Sequence, residues 1–111
     1  MVARIPRGIS NREDLFDVLE KELSLPSYFG RNWDALDECL GDFHWLKAKR
    51  VVMIHDDLPD LEEHQLTTYL EVLSDSLREP TRGEDLELVV VFPEETRPRV
   101  TELMEAKRPT Q

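Results

Sequence analysis

Arg50-Val51-Val52-Met53-Ile54-His55 is a near-continuous apolar run of strand length, and its reading decides the fold. Such a run is expected of a strand covered on both faces. Downstream, Asp56 to Asp60 turns the chain around Pro59. A helix is then expected from about Asp60 to Glu79, where Leu66, Tyr69, Leu70, Leu73 and Leu77 fall on one stripe and Pro80 stops the pattern. Leu86 to Phe92 follows as the strongest strand of the chain. A strand, a helix and a strand in succession imply a parallel pair joined by a crossover.

Upstream the same alternation appears. Val2 to Pro6 reads as a first strand, closed by Pro6 and Gly8. Ser10-Asn11-Arg12-Glu13 fits a capping box for a helix whose buried stripe is Leu15, Leu19 and Leu23, with Phe16 and Val18 alongside, until Pro26. Ser24 to Arg31 is a turn-rich connection carrying Tyr28 and Phe29. Asn32 then suits the N-cap of a second helix reaching about Gly41, a residue fit for a left-handed stop. Beyond Phe92, Pro98 with Val100, Leu103 and Met104 predicts one or two amphipathic turns and a frayed end. The expected fold class is α/β, a small three-stranded parallel sheet flanked by helices with a short C-terminal helical extension.

With 111 residues, the chain can bury about two thirds of its unfolded surface, enough for one core. Its 40% hydrophobic content, arranged in ordered runs, separates it from disordered acidic chains. Twenty-four acidic against fourteen basic side chains give a net charge of -10, which disfavours nucleic acid and anionic membranes as partners. Seven of the ten excess charges lie between residues 31 and 79. Cys39 is the lone cysteine, no 18-residue apolar stretch is present, and the start lacks the apolar region of a secretory signal, so a reducing, cytoplasmic setting is expected.

The excess charge has a local form. On the second helix, Trp33, Ala35, Leu36, Cys39 and Leu40 project to one side and Asp34, Asp37 and Glu38 to the other. Asp34 gains from the helix dipole, but the three carboxylates repel one another by about 0.2 to 0.5 kcal/mol per pair, and no lysine or arginine on that helix compensates. A solvated face and a binding surface both fit; the neighbouring Tyr28, Phe29, Gly30 and Arg31 add weight to the second. Asp75 and Glu71 share the outward face of the third helix and read alone as solvated.

Trp33, Trp45 and Cys39 read as core or core edge. His44, His55 and His64 lack the paired spacing of a zinc site. No phosphate loop or nucleophile with its base is present, so an enzyme is not expected and no cofactor or metal is called for. A metal-dependent phosphotransfer enzyme using the clustered carboxylates is the weaker alternative. Val52 to Pro59 also looks like a receiver-domain phospho-acceptor strand, but the acceptor position four residues before Pro59 is His55, and the acidic pair and lysine of that pattern are missing.

The run from Leu25 to Leu40, LPSYFGRNWDALDECL, resembles the signature of the barstar family, intracellular inhibitors of secreted microbial ribonucleases such as barnase. The order of elements over roughly residues 1 to 92 is also similar. The resemblance implies a barstar-like inhibitor domain over 1–93 with an extension over 94–111, a bacterial setting, and a monomer that forms a 1:1 complex with a basic extracellular ribonuclease. By that resemblance, Tyr28 packs against the enzyme's catalytic imidazole, Gly30 and Asn32 line the contact loop, Asp34 and Glu38 enter the basic cleft, and Asp75 adds a pair from the third helix; Phe29 and Asp37, on the same loop and helix face, complete the expected partner-binding set. The family's namesake has aspartate where Glu38 stands, an aromatic where Asp37 stands, and no counterpart to the tail after Pro93. An immunity or antitoxin-type module for a toxin other than a ribonuclease would use the same surface.

Overall fold

The computed structural model describes residues 1–26, 29–42, 50–77 and 87–107. Strand β1 (Val2–Ile5) leads into helix α1 (Arg12–Glu22), helix α2 (Trp33–Asp42), strand β2 (Arg50–His55), helix α3 (Glu63–Leu77), strand β3 (Glu87–Val91), a single 3-10 turn (Glu94–Thr96) and helix α4 (Arg97–Lys107). The three strands form one parallel sheet in the order β1-β2-β3, with Ala3, Met53 and Val90 in register across it.

One face of the sheet holds Ala3, Ile5, Val51, Met53 and Leu88, all buried. Against them pack Leu15, Phe16, Leu19 and Leu23 of α1 and its cap, Leu36 and Leu40 of α2, and Tyr69, Val72 and Leu73 of α3. The expectation that β2 is covered on both faces needs correction. Val2 and Val91 remain 59% and 41% exposed on the far face, and Val52, Ile54 and Val89 between them are only half-buried. A run of β-branched residues suits a pleated, half-covered surface as well as a buried one, so the run identifies the strand without counting its layers.

Local chemistry moves several boundaries. The N-cap of α1 is Asn11, one residue beyond the expected Ser10: its side chain accepts from the Asp14 N–H at 2.8 Å and its amide donates to the Asp14 carboxylate at 3.1 Å. Asn caps as well as Ser, and this register places Leu15 and Phe16 in the core. The helix ends before Pro26 in a left-handed turn at Ser24 (φ 52°), where the Leu25 N–H donates to the Glu20 carbonyl at 3.1 Å. Helix α2 runs through Gly41 to Asp42, so Gly41 is not its stop. Burial of Leu36, Cys39 and Leu40 outweighs the roughly 1 kcal/mol that a helical glycine costs. Helix α3 starts three residues after Asp60, because the Asp60 N–H donates to the Ile9 carbonyl at 2.7 Å and holds that segment out of the helix. Leu77, expected on the stripe, is exposed, and Val72 is buried instead.

Helix α4 is longer than the expected one or two turns. Pro98 is its second residue, and Leu103 is buried against Leu66 and Leu70 of α3, with Leu58, Leu61, Phe92, Val100 and Met104 around them. Among the described residues no helix is long and apolar enough to cross a membrane. Trp45 and His44 lie outside the described residues.

Candidate functional site

The site begins where α1 ends. Segment 29–32 is fixed at each of its residues. The Phe29 N–H donates to the Pro26 carbonyl at 2.9 Å, and the Phe29 ring is only 6% exposed, packed edge-on against Phe16 at 5.7 Å. The expected pair of surface aromatics is therefore corrected at Phe29, whose hydrophobic ring is an anchor of the loop within the core. Tyr28 lies outside the described residues. Gly30 is exposed, and a Cβ there would sit 3.3 Å from the Asn32 amide nitrogen, which itself donates to the Gly30 carbonyl at 3.4 Å. Asn32 caps α2 as expected, its side chain accepting from the Ala35 N–H at 2.8 Å and its carbonyl from the Leu36 N–H at 3.0 Å. Any side chain at position 30 would press on this cap.

Arg31 has a left-handed backbone (φ 54°) and sends its guanidinium back to α1. It donates to the Asp17 carboxylate at 2.7 Å, to the Glu20 carboxylate, and to the Glu13 carbonyl at 3.3 Å. These contacts, led by the hydrogen bond to Asp17, hold its pKa above the ordinary value against the effect of partial burial. The sequence signalled this weakly: Glu13, Asp17 and Glu20 recur at helical spacing, but only the fold brings residue 31 over them.

Helix α2 projects as expected. Leu36, Cys39 and Leu40 are buried, Trp33 and Ala35 half-buried, and Asp34, Asp37 and Glu38 exposed. Trp33 couples the helix to its surroundings. Its ring meets Phe16 at 5.1 Å and Tyr69 at 5.9 Å, and its indole N–H donates to Gln65 on α3 at 2.7 Å. Asp75 is exposed on α3, the helix that packs beside α2. The side-chain carboxylates of Asp34, Glu38 and Asp75 form no ion pair or hydrogen bond with any described residue. Three uncompensated carboxylates thus stand on two helices that are rigidly joined through Trp33. No three His, Cys, Asp or Glu side chains converge as a metal's ligands would among the described residues.

Sequence reasoning missed His55. It is 2% exposed, stacked on Phe92 at 4.0 Å, with Nδ1 3.1 Å from the Val91 carbonyl and Nε2 2.6 Å from the Tyr69 hydroxyl. A carbonyl only accepts, so Nδ1 carries the proton and donates to Val91, while Nε2 accepts from Tyr69. The neutral imidazole is fully satisfied. Burial pushes its pKa down to about 4, against smaller opposing effects of the Val91 and Met53 backbone and the Asp56 charge. The same burial raises the Tyr69 phenol.

The stretch of chain that forms the three-stranded parallel sheet, the pinned loop and the charged face is also the stretch that a comparison with protein families matches. The family described as Barstar (barnase inhibitor) matches residues 2–93. The chain belongs to the barstar family. The barstar match takes in all three strands, the pinned loop, the acidic helix α2 and Asp75 of α3; α4 begins beyond it. No curated protein matches the chain. Barstars are inhibitors of enzymes, and their family description names barnase as the target.

Proposed function

We propose that this chain inhibits a basic secreted ribonuclease from inside the cell that makes it, as a monomer binding one enzyme molecule. The observation that carries the reading is the set of unpaired carboxylates, Asp34 and Glu38 on α2 and Asp75 on α3, held on a rigid helix pair in a barstar-family fold. A ribonuclease cleft is built to hold phosphates, and carboxylates placed there pair with its arginines, lysines and protonated histidine. Substrate is then excluded. Asp37 adds charge on the same helix face, Gly30 and Asn32 form the backbone of the contact loop, and Tyr28 supplies its aromatic contact. Phe29 supports that loop from the core. Residues 1–93 constitute the inhibitor domain, and the extension from 94 stabilises the far side of α3 through Leu103.

The test is an RNA-cleavage assay in which purified chain is titrated into barnase and into the secreted ribonucleases of its own organism. A stoichiometric 1:1 loss of activity in at least one of them is expected. Full activity of every one at excess chain would overturn the reading, and a tight complex with a toxin that is not a ribonuclease would redirect it to an immunity module.

A further inference from the structure

The two edges of the sheet are finished differently. On the β1 edge, the Arg4 N–H donates to the Glu22 carboxylate at the end of α1 at 3.0 Å, so a side chain occupies the place where another strand would pair. The β3 edge has no such guard among the described residues. The Val52 and Asp56 N–H groups donate to the Met1 and Ile5 carbonyls, so by alternation Met53 and His55 bond toward β3. Val52 stands opposite Val89, and Ile54 opposite Val91. Val89 and Val91 therefore bond to β2, and the N–H and C=O groups of Leu88 and Val90 point off the sheet. None of those four groups is bonded to a described residue.

This open edge leads into a hollow of about 510 Å3. Val90, Val91, Phe92 and Pro93 line it from β3 and the chain just beyond, and α4 contributes Val100. Glu94 and Arg97 supply its charged groups. Arg97 is exposed and pairs with no carboxylate among the described residues, Glu94 included, whereas Arg99 pairs with Glu102 at 3.2 Å. An open edge calls for backbone groups, an apolar hollow for an apolar side chain, and a free guanidinium for a carboxylate. One kind of molecule brings all three. A second copy of this chain fits less well, because two chains of net charge -10 repel each other and the β3 strand of a copy has no carboxylate end to offer.

We propose that the β3 edge and the hollow beside it form a binding site, separate from the acidic face, for an extended partner peptide with an apolar last side chain and a free C-terminal carboxylate. The peptide adds a fourth strand: its backbone bonds to Leu88 and Val90, its last side chain fills the hollow, and its carboxylate pairs with Arg97. Because Arg97 follows the end of β3, the peptide runs in the direction of β3 and continues the parallel sheet. The extension after residue 93 thereby gains a role in recognition, since it supplies Arg97 and Val100.

The experiment follows the isotope-labelled full chain by amide hydrogen exchange, and by amide shifts during titration with the peptide Thr-Val-Thr-Val-Thr-Val bearing a free C-terminal carboxylate. In the free protein, the Leu88 and Val90 amides are expected to exchange about a hundredfold faster than those of Val89 and Val91, and the peptide to slow them about tenfold. Of two peptides N-methylated at alternate residues, one is expected to bind as the parent does and the other to lose binding, because one phase of the added strand bonds to β3. Capping the carboxylate as an amide and Arg97→Gln are each expected to weaken binding about tenfold without adding together, whereas Glu94→Gln does not weaken it. Slow exchange at Leu88 and Val90 in the free protein, equal binding of the two methylated peptides, or an unchanged affinity in Arg97→Gln would each overturn the proposal. Protection of Leu88 and Val90 that grows with protein concentration alone would also overturn it, by giving the edge to a second copy. The site uses no residue of α2 or α3, so this test and the ribonuclease assay succeed or fail separately.

Discussion

His55 makes the stability of this protein depend on pH in a way that can be worked out from its surroundings. The imidazole is neutral in the folded protein, where its pKa is about 4, and titrates at about 6.5 once unfolded. The folded state therefore binds fewer protons than the unfolded state between those limits. The stabilising contribution is fully present above pH 6.5 and is lost as pH falls from about 6.5 to about 4. At about 1.4 kcal/mol for each pH unit, the loss is about 3 kcal/mol, a substantial part of the 5 to 15 kcal/mol that holds a typical domain together.

Urea unfolding followed from about pH 7.5 to about pH 4 measures the effect, with the double variant His55→Phe/Tyr69→Phe as reference. The double substitution replaces a buried hydrogen-bonded pair by two rings of similar shape and removes the titration, while the carboxylates that also titrate stay common to both proteins. The stability difference between wild type and variant is expected to be flat above neutrality and to fall by about 3 kcal/mol across the window. A difference that is constant with pH would refute the reasoning, because the imidazole would then be either charged or hydrated in the fold.

Three other outcomes follow from the packing and the charged face. Leu103→Ala should lower stability in urea by about 2 kcal/mol, the low end for a buried leucine because the α3–α4 cluster is small, and leave ribonuclease affinity unchanged. Asn11→Ala should cost about 1 kcal/mol, read as a fall in Tm of several degrees, while Ser10→Ala changes Tm little; the reverse order would return the cap to Ser10. Glu38→Ala should weaken a ribonuclease complex most and Asp34→Ala next, by calorimetric titration, with losses of about 2 to 5 kcal/mol for a charge that pairs in the interface, a range that the barnase–barstar pair itself helped to define.

The sheet and the acidic helix were legible because each rests on a local signal: apolar runs of strand length at Arg50–His55 and Glu87–Val91, and the projection that separates Leu36 and Leu40 from Asp34 and Glu38. What escaped depends on contacts between distant residues. Asp60 is held out of α3 by Ile9, fifty-one positions away, and no pattern near Asp60 announces it. Phe29 reads as a loop aromatic because its pocket is made by Phe16 on α1. His55 reads as the end of an apolar run because its partners, Tyr69 and Val91, belong to α3 and β3. Arg31 is the instructive case for function. Its charge is plain in the sequence, but whether it opposes the acids of α2 or those of α1 is decided by a left-handed turn that only the fold reveals.

The central claim is that Asp34 and Glu38 carry the protein into a basic active site. Stopped-flow association with the ribonuclease that it inhibits, barnase being the first to try, tests this most directly when wild type and Asp34→Asn/Glu38→Gln are compared from low salt to about 1 M, where screening shortens the reach of a charge from about 10 Å at 0.1 M to about 3 Å. The expected result is a wild-type association rate that falls steeply with salt toward the rate of the double variant, which itself depends weakly on salt and binds far less tightly. An unchanged affinity and an unchanged salt slope in the double variant would contradict the account and place the binding surface elsewhere on the molecule.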